Sequence, residues 1–125
     1  MESWQIVLSV SLIIPLVMVI AGICFRNGLP RKVNWWTGYR TSMACKNQDT
    51  WVFAHKYLAK LLIPLGLIFI FLVAIFALLA AFGIFTLELL LWLAGAQAIA
   101  FFLLSFIPTE MALRKEFDRN GKRRQ

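Results

Sequence analysis

Charged side chains are scarce in this sequence. Only 15% of its 125 residues are Asp, Glu, Lys or Arg, whereas 61% are apolar. An ordinary soluble domain has about 25% charged and about 45–50% apolar residues. The composition therefore argues against a soluble globular protein and favours a chain whose solvent is a lipid bilayer. The length allows a single domain, residues 1–125.

Cysteine and histidine are also rare. The two cysteines, Cys24 and Cys45, form no Cys-x-x-Cys pair, and His55 is the single histidine. A structural zinc site usually needs about four Cys or His ligands, so the sequence predicts no metal site and no cofactor. Both cysteines fall on the side predicted below to be cytoplasmic, where a structural disulfide is not expected.

Three long apolar runs are present instead, at about residues 4–25, 61–83 and 87–107. A helix needs about 20 apolar residues to cross the hydrocarbon of a bilayer, so each run predicts a transmembrane helix. The predicted fold class is an all-α membrane protein with three transmembrane helices. An ordered cytoplasmic loop at residues 26–60, cytoplasmic helix extensions and a cytoplasmic tail at 109–125 complete the prediction.

The placement of the basic residues predicts the orientation. All 13 Lys and Arg residues lie either between the first and second runs or after the third. Short loops rich in Lys and Arg stay in the cytoplasm, which predicts a plasma-membrane protein with its amino terminus outside. No nucleic-acid-reading module accompanies the net charge of +7, so membrane lipids, and not nucleic acid, are the expected partners. Residues 119–125 are expected to form a solvated or lipid-touching basic tail.

The second helix is predicted to start outside the membrane, at about Gln48, with Asp49 or Thr50 accepting hydrogen bonds from its first turn. Helical spacing continues from Trp51 into the apolar run, which predicts one long helix that contains Pro64.

The third helix is predicted to extend beyond the membrane as well. Phe106, Glu110, Leu113 and Phe117 recur at the spacing of one helix face. This pattern predicts a helix that continues past Pro108 and holds Glu110 on its inward face.

Within the membrane, Gln97 is the strongly polar residue of the third run. It predicts a packing hydrogen bond to another helix, with a transport site as the alternative. Alanines four residues apart in the second and third runs predict close helix contacts, and Thr86 is the expected cap of the third helix.

The polar stretch NWWTGYRTSMACKNQDTW, residues 34–51, interrupts the apolar sequence. Its aromatic residues Trp35, Trp36 and Tyr39 are unlike the composition of disordered segments. A loop of this length is either functional or disordered, so its content predicts a folded, functional loop.

Two blocks of residues resemble a known family. They are Asn34, Gly38, Tyr39, Arg40, Thr41, Ser42, Asn47, Trp51, Ala54 and His55, then Pro108, Glu110, Leu113, Phe117, Asp118 and Gly121. With the three-span topology, they make the chain similar to the bacterial SdpI family, named for the immunity protein against the sporulation-delaying toxin. The resemblance implies a three-span module and an immunity or signalling role. The founding immunity protein is larger and has additional spans before this module.

The candidate site is drawn from these blocks. It comprises Asn34, Gly38, Tyr39, Arg40, Thr41, Trp51, His55 and Glu110. We predict a charge-assisted pair between Arg40 and Glu110, or a shared cluster that includes Asn34 and His55. Gly38 would supply a turn and Tyr39 an amphipathic anchor. The alternatives are a cluster that only folds the loop, and a guanidinium that binds a lipid phosphate or a peptide carboxylate.

Three function classes follow. The first is an immunity or signalling protein that recognises a toxin peptide or a cytoplasmic regulator protein through its loop. The second is a lipid or peptide transporter or flippase component, which would act as a homo-oligomer because few polar residues are available to line a path. The third is an enzyme with His55 as a base. No nucleophile or metal set accompanies His55, and a surface or capping role is its ordinary alternative, so the prediction is that the protein is not an enzyme.

Overall fold

The computed structural model describes residues 3–34 and 38–124, so Trp35 and Trp36 lie outside the described residues. It contains three helices, α1 (Ser3–Arg26), α2 (Gln48–Ala81) and α3 (Leu87–Glu116). Each helix is long and apolar enough to cross a membrane. The predicted all-α class with three candidate spans is confirmed, and these helices fit a multi-pass membrane protein.

Asn47 caps the start of α2. Its side chain accepts from the backbone N–H of Thr50 at 2.9 Å, and the Thr50 hydroxyl accepts from the Asn47 N–H at 3.1 Å. This reciprocal arrangement satisfies two N–H groups that have no partner within the helix. The predicted start at Gln48 is confirmed. Thr50 accepts an N–H at this helix start, as predicted, but that N–H belongs to Asn47, and the residue that caps the first turn is Asn47 and not Asp49 or Thr50.

The start and the end of α3 follow from local chemistry. The hydroxyl of Thr86 accepts from the N–H of Leu89 at 3.2 Å, which is the predicted cap. The helix continues through Pro108 to Glu116, as the one-face spacing predicts. Leu113, near its end, is completely buried.

Two glycines let α1 and α2 approach each other closely. A Cβ atom at Gly22 would lie 2.6 Å from Cγ1 of Ile63, and one at Gly66 would lie 2.6 Å from Cγ2 of Val19. Real Cβ atoms do not approach other atoms so closely, so hydrogen at both positions permits the contact. In this helix pair, the close contacts therefore form at glycines and not at the alanines from which they were predicted.

The cleft between α2 and α3 contains Gln97. Its amide nitrogen is buried and, within the described part of the chain, has no hydrogen-bond partner. The predicted interhelical hydrogen bond from this nitrogen is thus absent. Gln97 lines an otherwise apolar cavity of about 210 Å³.

Candidate functional site

One turn of α2 holds the preceding loop at two points. The indole Nε1 of Trp51, which is fully buried, donates to the carbonyl of Pro30 at 2.7 Å. One turn later, Nε2 of His55 accepts from the backbone N–H of Tyr39 at 2.9 Å. The Trp51 and His55 rings lie against each other, with centroids 4.2 Å apart. Residues four apart share a helix face, and this spacing lets both side chains reach the same loop.

Both ring nitrogens of His55 are used in this arrangement. Because Nε2 accepts from Tyr39, Nδ1 carries the proton and donates to the carbonyl of Trp51 at 2.7 Å. His55 is 3% exposed and precedes the predicted span. Burial lowers its pKa below the ordinary value of 6.5, which favours the neutral ring that the Tyr39 bond requires. The interpretation of His55 as a surface residue was wrong.

Gly38 fits a position that other residues would occupy with strain. Its φ is +90°, and a Cβ atom there would lie 2.5 Å from Nε2 of His55 and 3.0 Å from Cγ of Pro30. Glycine adopts positive φ without steric cost. The backbone can therefore turn directly over the His55 ring.

The Tyr39 side chain connects the loop to α3. Its hydroxyl donates to Oε1 of Glu110 at 2.7 Å. Burial and the neighbouring carboxylate both raise the pKa of Tyr39, so the hydroxyl keeps its proton. Tyr39 thus connects two helices: its backbone N–H binds α2 and its hydroxyl binds α3.

Arg40 does not pair with Glu110, contrary to the prediction. Exposure alternates along the segment: Tyr39 and Thr41 are partly buried, whereas Arg40 is exposed. Adjacent side chains point in different directions, so the residue that reaches Glu110 is Tyr39. Among residues 3–34 and 38–124, the ion pairs join Arg123 to Asp49 and Glu116.

The remaining candidate residues organise the loop locally. The Thr41 hydroxyl accepts from the N–H of Ala44 at 3.2 Å, which closes a turn. The Asn34 side chain donates to the carbonyl of Lys32 at 3.0 Å.

A cavity of about 370 Å³ lies under the loop segment 38–41. We call it the loop cavity. Residues from the loop and from all three helices line it: Ala21, Phe25, Gly38, Tyr39, Arg40, Thr41, Leu58, Leu62, Phe101, Phe102, Ser105 and Phe106. Its volume is within the range of about 300–1,000 Å³ of ligand pockets. Aromatic and aliphatic side chains form most of the wall, and Arg40 contributes a cation.

Ser105 is a polar exception on the α3 wall of the loop cavity. Its hydroxyl oxygen is buried and has no hydrogen-bond partner among the described residues. A buried hydroxyl without a partner costs free energy. A ligand in the cavity could supply the missing hydrogen bond.

The carboxy-terminal residues fold back onto the start of α2, which the sequence did not predict, although most of residues 119–124 remain exposed, as expected for a solvated basic tail. The side chain of Asn47 donates to the carbonyl of Gly121 at 2.8 Å, and Arg123 contacts Asp49 at 3.0 Å. Phe117 is fully buried beneath this contact. Asn47 and Gly121 both stand in the blocks that carried the family resemblance, but sequence reasoning gave neither one a role.

Two comparisons with known proteins give matches. The SdpI/YfhL protein family matches residues 31–109, which include the loop segment 38–41, all of α2 and most of α3. The chain is 34% identical over 110 residues to the uncharacterized protein YfhL of Bacillus subtilis (strain 168), covering 84% of this chain and 91% of that protein. No solved structure matches the chain. The match over more than half of the chain and the similarity to YfhL together establish that this protein belongs to the SdpI/YfhL protein family.

Proposed function

We propose that this protein is an immunity receptor in the membrane, which recognises an amphiphilic peptide toxin at the loop cavity. The observation that carries this proposal is the position of the loop segment 38–41 as one wall of an apolar cavity of about 370 Å³. The segment belongs to the motif by which the chain resembles the SdpI family. Membership of that family supports an immunity role.

The chemistry of the cavity suits a peptide that is both apolar and acidic. Phe25, Leu62 and Phe101 would receive an apolar side chain and remove it from water or from the headgroup layer. Arg40 is exposed beside this surface, where its guanidinium could bind a carboxylate through two parallel hydrogen bonds. A peptide with a hydrophobic residue next to an acidic group would use both features.

The contacts of Tyr39 favour recognition by a preformed surface. His55 and Glu110 hold the Tyr39 backbone and side chain, respectively. A loop that is fixed before binding loses less conformational entropy when a ligand arrives. These two residues would therefore position Arg40 without contacting the peptide themselves.

The geometry gives less support to a transporter. Among the described residues, the loop cavity and the Gln97 cavity share no lining side chain. Their polar groups are few, and a transport path for polar substrates needs such groups along its length. A homo-oligomer would have to supply that path at its subunit interface.

A protection assay tests the proposal. A sensitive host expressing the full chain is exposed to the sporulation-delaying toxin peptide, and survival is compared with that of a host carrying an empty vector. We expect protection by the wild type. For Arg40→Ala, we expect the highest toxin dose that the host survives to fall at least about tenfold, because the substitution removes a charge-assisted contact of about 1.5–3 kcal/mol. We expect a fall of the same size for Ala21→Phe, because the phenyl ring fills the cavity from α1.

Arg31→Ala is the matched control, because it removes an exposed loop cation that does not line the cavity. Immunoblots of membrane fractions must show equal protein levels for all variants. Protection by Arg40→Ala and Ala21→Phe at the wild-type dose would contradict the site. Absence of protection by the wild type would contradict immunity to this toxin.

A further inference from the structure

A second groove, between α1 and α2, brings three basic side chains together. Its volume is about 310 Å³, and Arg26, Lys56, Ala59, Lys60, Ile63 and Pro64 line it. We call it the basic groove. Arg26 is the last residue of α1, and Lys56 and Lys60 are one turn apart on α2. Among the described residues, the basic groove shares no lining side chain with the loop cavity.

The positive charges of the basic groove are not balanced within the described part of the chain. Its lining contains no acidic residue, and Arg26, Lys56 and Lys60 are all exposed. The ion pairs among described residues engage Arg123, not these three cations. Like charges one helical turn apart repel each other, so an anion between them would relieve an unfavourable interaction.

The other half of the groove is apolar. Ala59, Ile63 and Pro64 form this part of the lining, at the point where the apolar run of α2 begins. Pro64 has no N–H to donate to the carbonyl of Lys60, one turn earlier. The groove therefore presents cations beside an apolar surface.

We propose that the basic groove binds an anionic glycerophospholipid. Its phosphate contacts Arg26, Lys56 and Lys60, and an acyl chain follows Ile63 and Pro64. The lining matches a ligand that has a phosphate next to a hydrocarbon chain. Basic pockets between membrane helices bind such anionic headgroups. A free phosphate or an acidic soluble protein would leave the apolar half of the groove unused. The proposal is independent of the peptide site in the loop cavity.

Photo-crosslinking in lipid nanodiscs tests the site. The full chain is reconstituted in phosphatidylcholine that contains a small fraction of phosphatidylglycerol with a photoreactive acyl chain, and cross-linked peptides are mapped by mass spectrometry. We expect cross-links on α1 and α2 around Ile63. The triple variant Arg26→Gln, Lys56→Gln and Lys60→Gln should reduce their yield at least about tenfold.

A control variant separates a specific site from general charge attraction. Arg31→Gln, Lys32→Gln and Lys115→Gln remove the same charge from exposed residues outside the basic groove, and should leave the yield within about twofold of wild type. An equal loss in both variants would overturn the proposal, as would cross-links that avoid α1 and α2. If the triple variant fails to fold, Lys56→Gln alone should still lower the yield severalfold, and an unchanged yield would overturn the proposal.

Soluble competitors identify the source of the phosphate. Addition of glycerol 3-phosphate in large excess should leave the cross-linking unchanged, because it lacks the acyl chains that fill the apolar half. Displacement of the lipid by glycerol 3-phosphate would overturn the lipid assignment in favour of a soluble phosphate. Displacement by an acidic peptide such as polyglutamate would overturn it in favour of a protein partner.

Discussion

Tyr39 has bonds to two different helices, through its backbone N–H and through its hydroxyl. The N–H donates to His55 in α2 and the hydroxyl donates to Glu110 in α3. A single residue thus fixes the loop relative to both helices. Mutations at these contacts test whether the loop is held as described.

Tyr39→Phe removes the hydroxyl and leaves the ring in place. We expect the free energy of unfolding to fall by about 2 kcal/mol, because the lost hydrogen bond ends on a carboxylate. Tyr57→Phe is the control, because Tyr57 is partly buried as Tyr39 is, and its ring contact with Phe53 is kept by the substitution. Denaturant titrations of the purified proteins in detergent measure both. Equal effects of the two substitutions would contradict the Tyr39–Glu110 contact.

The stability of the protein should depend on the protonation of His55. Burial lowers the folded-state pKa of His55 below the ordinary 6.5, so below about pH 6.5 the unfolded chain binds a proton that the folded chain does not. The free energy of unfolding therefore has its full value above about pH 6.5 and falls as the pH decreases toward the folded-state pKa of His55. His55 is the single histidine of the chain, so thermal unfolding between pH 8 and pH 5.5 should report on it.

His55→Gln supplies the control for this pH dependence. Glutamine has both a donor and an acceptor but does not titrate. The variant should show a smaller decrease in melting temperature between pH 8 and pH 5.5 than the wild type. The same decrease in both proteins would mean that other groups cause it.

Arg40 illustrates which part of the site could be predicted from sequence. The residue types identified the polar segment, and the spacing on α3 placed Glu110 on an inward face. The choice between Arg40 and its neighbour Tyr39 as the partner of Glu110 depended on the direction of each side chain. Opposite charge favoured Arg40, but the backbone turn at Gly38 directs Tyr39 inward, and no residue pattern reveals that direction.

At the scale of elements, α1 and α2 depend on glycine for their close contact. Gly66→Leu should lower the free energy of unfolding by about 1–3 kcal/mol, because the new side chain meets Val19 and the carbonyl of Pro15. Gly95→Leu is the matched control, since a Cβ atom at Gly95 meets nothing within 4 Å. Denaturant titration and the expression level in membranes report the stability of the two variants. A Gly95→Leu variant as unstable as Gly66→Leu would contradict the close contact.

The carboxy-terminal segment should also be sensitive to one glycine. Gly121 has φ of +81°, and a Cβ atom there would lie 2.6 Å from Nδ2 of Asn47; Gly28 has φ of +88° and nothing nearby. Both Gly→Ala variants incur the cost of positive φ, about 1–2 kcal/mol. Gly121→Ala should in addition release the segment, which faster trypsin cleavage after Lys122 would report. Equal cleavage of the two variants would contradict the Asn47–Gly121 contact.

The bounds of the helices were largely predictable, whereas the fold of the last residues was not. Apolar runs, the Thr86 cap and the one-face spacing of α3 are local patterns, and local patterns determine where helices begin and end. The carboxy-terminal segment is polar and basic, as solvated tails are. Its fold depends on Asn47 and Asp49, more than 70 residues earlier in the chain, and such a long-range contact leaves no periodic pattern.

In the whole molecule, the proposed site depends on one arrangement of the chain. The three helices bring the loop before α2 and the segment after α3 to the same end of the bundle, where the two fold against each other. The loop cavity and the contacts of Tyr39 exist only in that arrangement. Arg123 and Asp49, whose side chains are 3.0 Å apart, mark the contact between the two segments.

Cross-linking of these two positions in native membranes is the most direct test. In a background with Cys24→Ala and Cys45→Ala, the variant Asp49→Cys, Arg123→Cys is treated with a short bismaleimide and cleaved at Met111. We expect cross-linked peptides for this pair and none for Ser3→Cys with Arg123→Cys, because a 24-residue α1 is about 36 Å long and separates Ser3 from that end of the bundle. The arrangement would be contradicted if the peptides that carry Asp49→Cys and Arg123→Cys were not cross-linked. It would also be contradicted if the control pair Ser3→Cys and Arg123→Cys were cross-linked with the same yield.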